Sequence, residues 1–377
     1  MTNGKRLRIG ILFGGRSGEH EVSLASAASV IHALDPEKYE PVLIGITKDG
    51  RWLVGTSAQK LLPEVLRAGE RVILPPDPSA ATLMPFAGAS PHPSVKVDVV
   101  FPVLHGTFGE DGTVQGLLEL TGLPYVGAGV LASAVGIDKD VQKRLFRDTK
   151  IPVVEWMAIS RNEWEAERGK TLLAIKKKFR FPLFVKPATL GSSVGMTRVH
   201  NPGELPAALD TAAAFALKIL VERAITGREI EVAVLGNSDP KASIPGEIVP
   251  HHEFYDYAAK YLESGTELII PAKLTRKQIA QFQEYAVRSF RAIDGTGMAR
   301  VDFFLEKRTN RIYLNEVNTI PGFTSISMYP KMWEASGISY SELIDRLIQL
   351  ALELHQEKSR TKYSIELPAG AGGALES

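Results

Sequence analysis

Asp302 and Glu316 are the side chains best placed by their spacing to do chemistry. They sit in two β-patterned runs, Arg300-Val301-Asp302-Phe303-Phe304-Leu305 and Ile312-Tyr313-Leu314-Asn315-Glu316-Val317-Asn318. The polar stretch Lys307-Arg308-Thr309-Asn310 joins them, so a hairpin is expected. A turn centred on Thr309 sets Asp302 opposite Glu316 and Arg300 opposite Asn318. The period of two then puts Arg300 and Asp302 on one face, and likewise Glu316 and Asn318. Carboxylates opposed at about 5 Å between Cβ atoms repel. A hard divalent cation between oxygen ligands would hold them together, and Mg²⁺ bridging substrate phosphates is its usual form. The alternative is a solvated hairpin face.

Leu183-Phe184-Val185-Lys186-Pro187 delivers a lysine from an apolar run into Gly191-Ser192-Ser193-Val194-Gly195. A small-residue loop of free N–H and hydroxyl donors suits phosphate. No G-x-x-x-x-G-K-[ST] string occurs, and such loops alone are often only turns. Beside a metal hairpin, this one suggests a nucleotide. Gly14-Gly15-Arg16-Ser17-Gly18-Glu19-His20-Glu21 follows the first apolar run, but its spacing is not that of a dinucleotide fingerprint. Thr47-Lys48 ends the second run with no acid placed for a ribose, which disfavours NAD. His105-Gly106-Thr107-Phe108-Gly109-Glu110-Asp111-Gly112 follows the third run, as a ligand loop or a tight turn. Phe254-Tyr255-Asp256-Tyr257-Ala258-Ala259-Lys260-Tyr261 reads as an ordered surface loop that closes over something.

These motifs need a frame. Apolar runs at Arg8–Phe13, Pro41–Thr47 and Val95–Leu104, with a helix pattern over about 21–34, predict an α/β unit with a parallel sheet. Residues 54–94 lack periodicity and read as an insertion. Further on, helices are expected from about Asp138 to Phe146, over 172–179, 203–217, 275–292 and 340–356, and strands at 182–186, 219–222, 229–235, 298–305 and 311–318. The segment from Pro368 is low in complexity.

The composition limits the function. Of 377 residues, Lys and Arg total 44 and Asp and Glu 43, a net charge of +1 that points to neither nucleic acid nor an anionic membrane. A chain 44% hydrophobic and 23% charged has ample core for two or three domains. The absence of cysteine excludes thiolate catalysis, Cys-ligated zinc, Fe–S clusters and disulfides, and fits a reducing cytosol. No H-E-x-x-H occurs. Leu120–Ile137, a charge-free window of about span length, is broken by Thr121, Pro124, Ser133 and four glycines, so no membrane span is expected. The apolar run Ile9–Phe13 is too short for a signal peptide, and a cytoplasmic protein is expected.

In order along the chain, GGRSGEHEVS, HGTFGEDG, VKPATLGSSVGM, FYDYAAKY, ARVDFFLE and NEVNTIPGFTSISMYP resemble the D-alanine–D-alanine ligases of the ATP-grasp superfamily, over about Arg8 to Leu354. The resemblance implies a Rossmann-like domain over 1–137, a central ATP-grasp lobe over 138–223, a C-terminal lobe over 224–363 and a tail over 364–377. It implies ATP-dependent joining of two D-alanines through an acyl phosphate, for peptidoglycan and cell-wall synthesis, by a homodimer using two Mg²⁺ or Mn²⁺ ions. Lys139, Lys186, Ser193, Glu222, Glu229 and Lys260 would surround ATP, and Asp302, Glu316 and Asn318 would hold the metals. Glu19 would hold the first D-alanine ammonium, with His105 nearby. Arg300 and the Gly322 amide would form an oxyanion hole. Ser327 and Met328 would meet the second carboxylate, and Glu19, Ser192 and Tyr261 would pin the closing loop. Competing readings are a sister ligase making D-Ala–D-lactate or D-Ala–D-Ser, a regulator without catalysis, and a dehydrogenase.

Overall fold

The structure is a computed structural model describing residues 6–55, 62–86, 94–249, 267–324 and 326–363. Its first sheet is built on β1 (Leu7–Gly14), β2 (Tyr39–Ile46), β3 (Trp52–Val54), β4 (Glu70–Ile73), β5 (Thr82–Pro85), β6 (Val95–Lys96) and β7 (Val99–Pro102). Their order is β6-β5-β4-β3-β2-β1-β7. Only the β1–β2 and β1–β7 pairs are parallel. The strands from 52 to 96 extend the sheet with antiparallel pairings. The expected insertion over 54–94 therefore contributes β4 and β5 to the sheet, strands too short to show periodicity. The expected run Val95–Leu104 breaks in two, its first half pairing with β5 and its second with β1.

The helices α1 (His20–Ala33), α2 (Leu62–Ala68), α3 (Thr113–Thr121) and α4 (Val130–Ile137) belong to this part of the chain. The β1–α1 turn needs glycine. Gly14 has φ +90°, and a Cβ there would lie 2.2 Å from the Ile46 carbonyl oxygen. That glycine run is a packing device which delivers Glu19 to the start of α1.

Next come α5 (Lys139–Asp148), β8 (Trp156–Ser160), α6 (Arg161–Ala166), α7 (Arg168–Lys178), β9 (Leu183–Pro187), β10 (Thr197–Val199), α8 (Leu205–Phe215) and β11 (Lys218–Arg223). The second sheet is antiparallel, in the order β10-β9-β11-β8. Its core joins Trp164, Ile175, Leu205 and Leu209 from the helices to Val185 and Ile219. The third sheet contains β12 (Gly227–Leu235), β13 (Lys241–Ala242), β14 (Gly246–Val249), β15 (Glu267–Ile269), β16 (Met298–Glu306) and β17 (Ile312–Asn318). Its order is β15-β14-β12-β16-β17, with β13 beside β12. The helix α9 (Arg276–Ala292) buries Phe282 and Phe290 against Val232, Val301 and Phe303.

The closing helices α10 (Met328–Ala335) and α11 (Tyr340–Lys358) return to the first sheet. Tyr329, Trp333, Leu343 and Leu347 share one core with Ile9, Phe13, Val99 and Phe101. Asp345 accepts hydrogen bonds from Lys38 at 2.9 Å and from the Tyr39 hydroxyl at 2.7 Å. No described helix is long and apolar enough to cross a membrane.

Asp138 caps α5, its side chain accepting from the amides of Asp140 and Val141 at 3.1 Å each while pairing with Lys218 at 2.7 Å. It thereby fixes where Lys139 begins the helix. Asp138→Ala is expected to cost about 1 kcal/mol of stability, read from urea unfolding, and to weaken nucleotide binding. Unchanged stability would show that the cap is not needed.

Candidate functional site

The three sheets meet at a cleft of about 900 Å³. Sequence-expected residues from all parts of the chain line it: Glu19, His105, Lys139, Lys186, Ser192, Ser193, Glu222, Glu229, Arg300, Asp302, Glu316, Asn318, Gly322, Ser327 and Met328. Lys260 and Tyr261 lie outside the described residues.

The hairpin register is the expected one at the site, with Asp302 opposite Glu316 and Arg300 opposite Asn318. Beyond it the pairing slips, because Phe303 faces Leu314. Asn315 is the extra residue of a β-bulge, so the turn is not centred on Thr309 as expected. The Asn315 side-chain oxygen is buried in the cleft wall with no hydrogen-bond partner among the described residues. The buried apolar residues Ile312, Leu314 and Val317 change phase at this point, as an inserted residue requires.

The opposed carboxylates are already compensated by the chain's own cations. Arg300 donates to both oxygens of Asp302 at 2.7 Å each and reaches Glu231 at 3.1 Å. Burial works against this charge, but Asp302 and Glu231 hold the guanidinium pKa well above its ordinary value. Asn318 donates its amide to Asp302 at 2.9 Å. Lys139 pairs with Glu316 at 3.1 Å and donates to the Leu190 carbonyl at 2.8 Å. Burial also opposes the Lys139 charge, and Glu316 outweighs it to leave the pKa raised.

Among the described residues no three His, Asp or Glu side chains converge as a metal cage. The oxygen set is two opposed carboxylates and one amide on the open face of a hairpin. That set fits a hard, oxygen-seeking divalent ion which keeps other ligands of its own.

Glu222, on β11, is clasped between Lys186 at 2.8 Å and Lys143 at 3.1 Å. Burial would raise the Glu222 pKa, and the two ammoniums overcome it, keeping the carboxylate ionised. Lys143 is fully buried, and that burial lowers its pKa. Sequence reading missed it, although it stands one helical turn beyond Lys139 on the same face. Glu231 was missed too, although it stands two residues beyond Glu229 on β12.

Ser192, at φ +49°, donates a short hydrogen bond to Glu19, so two of the three expected loop-pinning residues touch. Ser327 accepts from the Thr324 amide at 3.0 Å. Glu110 is a further residue of the cleft not singled out by the sequence. Its carboxyl accepts from the Gly106 amide at 2.9 Å, and burial, reinforced by Glu19, pushes its pKa up to about 8.

Two antiparallel sheets closing on a shared cleft whose walls carry buried lysines and paired carboxylates are the ATP-grasp arrangement, set here beside an α/β sheet. The chain belongs to the D-alanine–D-alanine ligase family. Family models for the ligase N-terminus and C-terminus match residues 8–128 and 145–349. The D-alanine–D-alanine ligase of Heliobacterium modesticaldum is 50% identical over 353 residues, covering 93% of this chain and 96% of that one. The ligase of Coxiella burnetii superposes with a TM-score of 0.82 at 40% identity, over 94% of this chain and 96% of that one. The VanG D-Ala:D-Ser ligase of Enterococcus faecalis also superposes at 0.82, with 36% identity over 92% of this chain and all of that one.

Because the folded chain raises the Glu110 pKa, it binds more protons than the unfolded chain between about pH 4.5 and 8. Stability from this group therefore falls as pH rises through that window. The melting temperature of the ligand-free Glu110→Gln variant, relative to wild type, is expected to climb from pH 5 to pH 8. A constant difference would refute the raised pKa.

Proposed function

We propose that this chain joins two D-alanines to D-alanyl-D-alanine with conversion of ATP to ADP and phosphate, supplying peptidoglycan precursors. The observation that carries this reading is the meeting of Glu19 and Ser192 with Lys139, Lys186, Arg300 and Gly322 in one cleft. Phosphoryl transfer asks mainly for positioning and charge neutralisation. Lys139 and Lys186 release their carboxylate partners in part to meet the phosphates, Ser193 borders them, and Glu222 and Glu229 bind the nucleoside end. Lys260 completes the phosphate contacts. Two Mg²⁺ or Mn²⁺ ions held by Asp302, Glu316 and Asn318 would neutralise phosphate charge as Lewis acids.

Glu19, with His105 behind it, holds the ammonium of the first D-alanine so that its carboxylate oxygen faces the γ-phosphate. Attack gives D-alanyl phosphate. The neutral amine of the second D-alanine, whose carboxylate rests at Ser327 and Met328, then adds to the acyl carbon. Arg300 and the Gly322 amide take up the charge that develops on the carbonyl oxygen. Collapse of that tetrahedral species expels phosphate and leaves the peptide bond. Ser192 and Tyr261, with Glu19, pin the covering loop during these steps. The same reading carries a cytoplasmic homodimer with parts 1–137, 138–223 and 224–363, a division supported by the three sheets.

Arg300→Lys keeps the charge and loses the two-pronged fork. It is expected to lower kcat by about 3 kcal/mol of barrier, the scale of one oxyanion donor, with ATP affinity changed only a fewfold. An equal loss of ATP affinity would make Arg300 a nucleotide residue.

Resemblance to a D-Ala:D-Ser ligase gives a second reading, with D-serine as the second substrate. Purified enzyme supplied with ATP, Mg²⁺ and D-alanine, with D-serine or D-lactate in large excess, decides between them. D-alanyl-D-alanine is expected as the dominant product at pH 6 and pH 9. A mixed product in excess would overturn the assignment, and ADP release without any amino acid would indicate a different enzyme.

A further inference from the structure

The loop from Ile320 to Thr324 carries the Gly322 amide, and a chain of hydrogen bonds from the first sheet fixes it. The Phe323 amide donates to the Ser26 hydroxyl oxygen at 3.3 Å. Ser26 lies 3.1 Å from His105 Nε2, and His105 Nδ1 lies 3.1 Å from the Ile320 carbonyl oxygen. A carbonyl only accepts, so Nδ1 carries the imidazole proton. Burial lowers the His105 pKa, which keeps the ring neutral and makes Nε2 an acceptor. The Ser26 hydroxyl must then donate to Nε2 while accepting from Phe323, so one hydroxyl fixes both the tautomer and the loop. Ser26 is fully buried and lies outside the cleft wall, so it does not touch substrate.

The rest of the loop is held equally firmly. The Phe323 carbonyl accepts from Tyr340 at 2.6 Å, and the Phe323 ring packs edge-on against Phe101. The His105 carbonyl accepts from Ser17 at 2.7 Å, and Ser17 accepts from the Glu19 amide at 3.0 Å. One continuous string of contacts therefore runs from Glu19, through Ser17, His105 and Ser26, to the residue after Gly322.

We propose that Ser26 is a positioning residue for the peptide-forming step, holding the Gly322 amide in register with the amino group bound at Glu19. The proposal rests on the ligase reading above. It explains how Glu19 at the start of α1 and Gly322 in the loop after β17 keep a fixed separation.

The test uses the full-length enzyme and a phosphinate dipeptide analogue, a tetrahedral mimic that needs the oxyanion donors. In S26A, kcat is expected to fall about 10- to 100-fold, in line with misplacing a catalytic group by about 1 Å. Phosphinate affinity should fall by a similar factor while the ATP Kd stays within about twofold of wild type. S26C, with a weak donor on a longer bond, should lose several-fold in both kcat and phosphinate affinity, and it serves if S26A does not fold. Wild-type phosphinate affinity in either variant, or an equal loss in ATP affinity, would overturn the proposal. A wild-type enzyme that makes no dipeptide refutes the ligase reading and the Ser26 role with it, whereas wild-type dipeptide synthesis with undiminished phosphinate affinity in the variants refutes the Ser26 role alone.

Discussion

The guanidinium of Arg300, held between Asp302 and Glu231, is the interaction on which the cleft depends. It lies on the long β12–β16 pair, where Ala233 faces Arg300 and Glu231 faces Asp302. Removing either carboxylate would leave the buried guanidinium with only one of its two partners, which is more damaging than losing an exposed ion pair. That constraint locks the strand face bearing the proposed metal ligands and oxyanion donor into one geometry before any ligand arrives.

The same logic extends across the cleft. Lys139 answers Glu316, and Lys186 with Lys143 answers Glu222. Without nucleotide, acids and bases neutralise one another in a partly dry space. In the proposed reaction ATP and divalent ions would bring both signs of charge, so binding would exchange partners instead of burying new unpaired charge.

Much of this was legible in the sequence, for identifiable reasons. The Asp302–Glu316 pairing followed from strand period and a polar turn, and Lys186 from a strand ending at a small-residue loop. The bulge at Asn315 was overlooked, although the apolar residues Ile312, Leu314 and Val317 change phase across it, because the polar face was read with an unbroken period of two. Not legible were the antiparallel additions within 54–94, whose strands of two to four residues are too brief for a periodic signal. Glu110 and Ser26 were hidden because their importance comes from residues 19 and 323, which only tertiary folding brings near. Lys143 was hidden by its partner Glu222, which stands on a strand of the second sheet.

The shared core of β1, β7, α10 and α11 bears on how the chain is made. The strand β1 completes its apolar surroundings only when Leu343 and Leu347 have emerged from the ribosome, more than 300 residues later. Until then that face of the first sheet is covered only in part, by α1 and α2 through Ala27, Val30 and Val65, and the remainder is exposed to association with other chains. The central sheet, whose core is drawn entirely from residues 159–221, has no such wait. Synthesis therefore favours a middle that matures first and ends that join last, with the catalytic cleft assembled at that final closure.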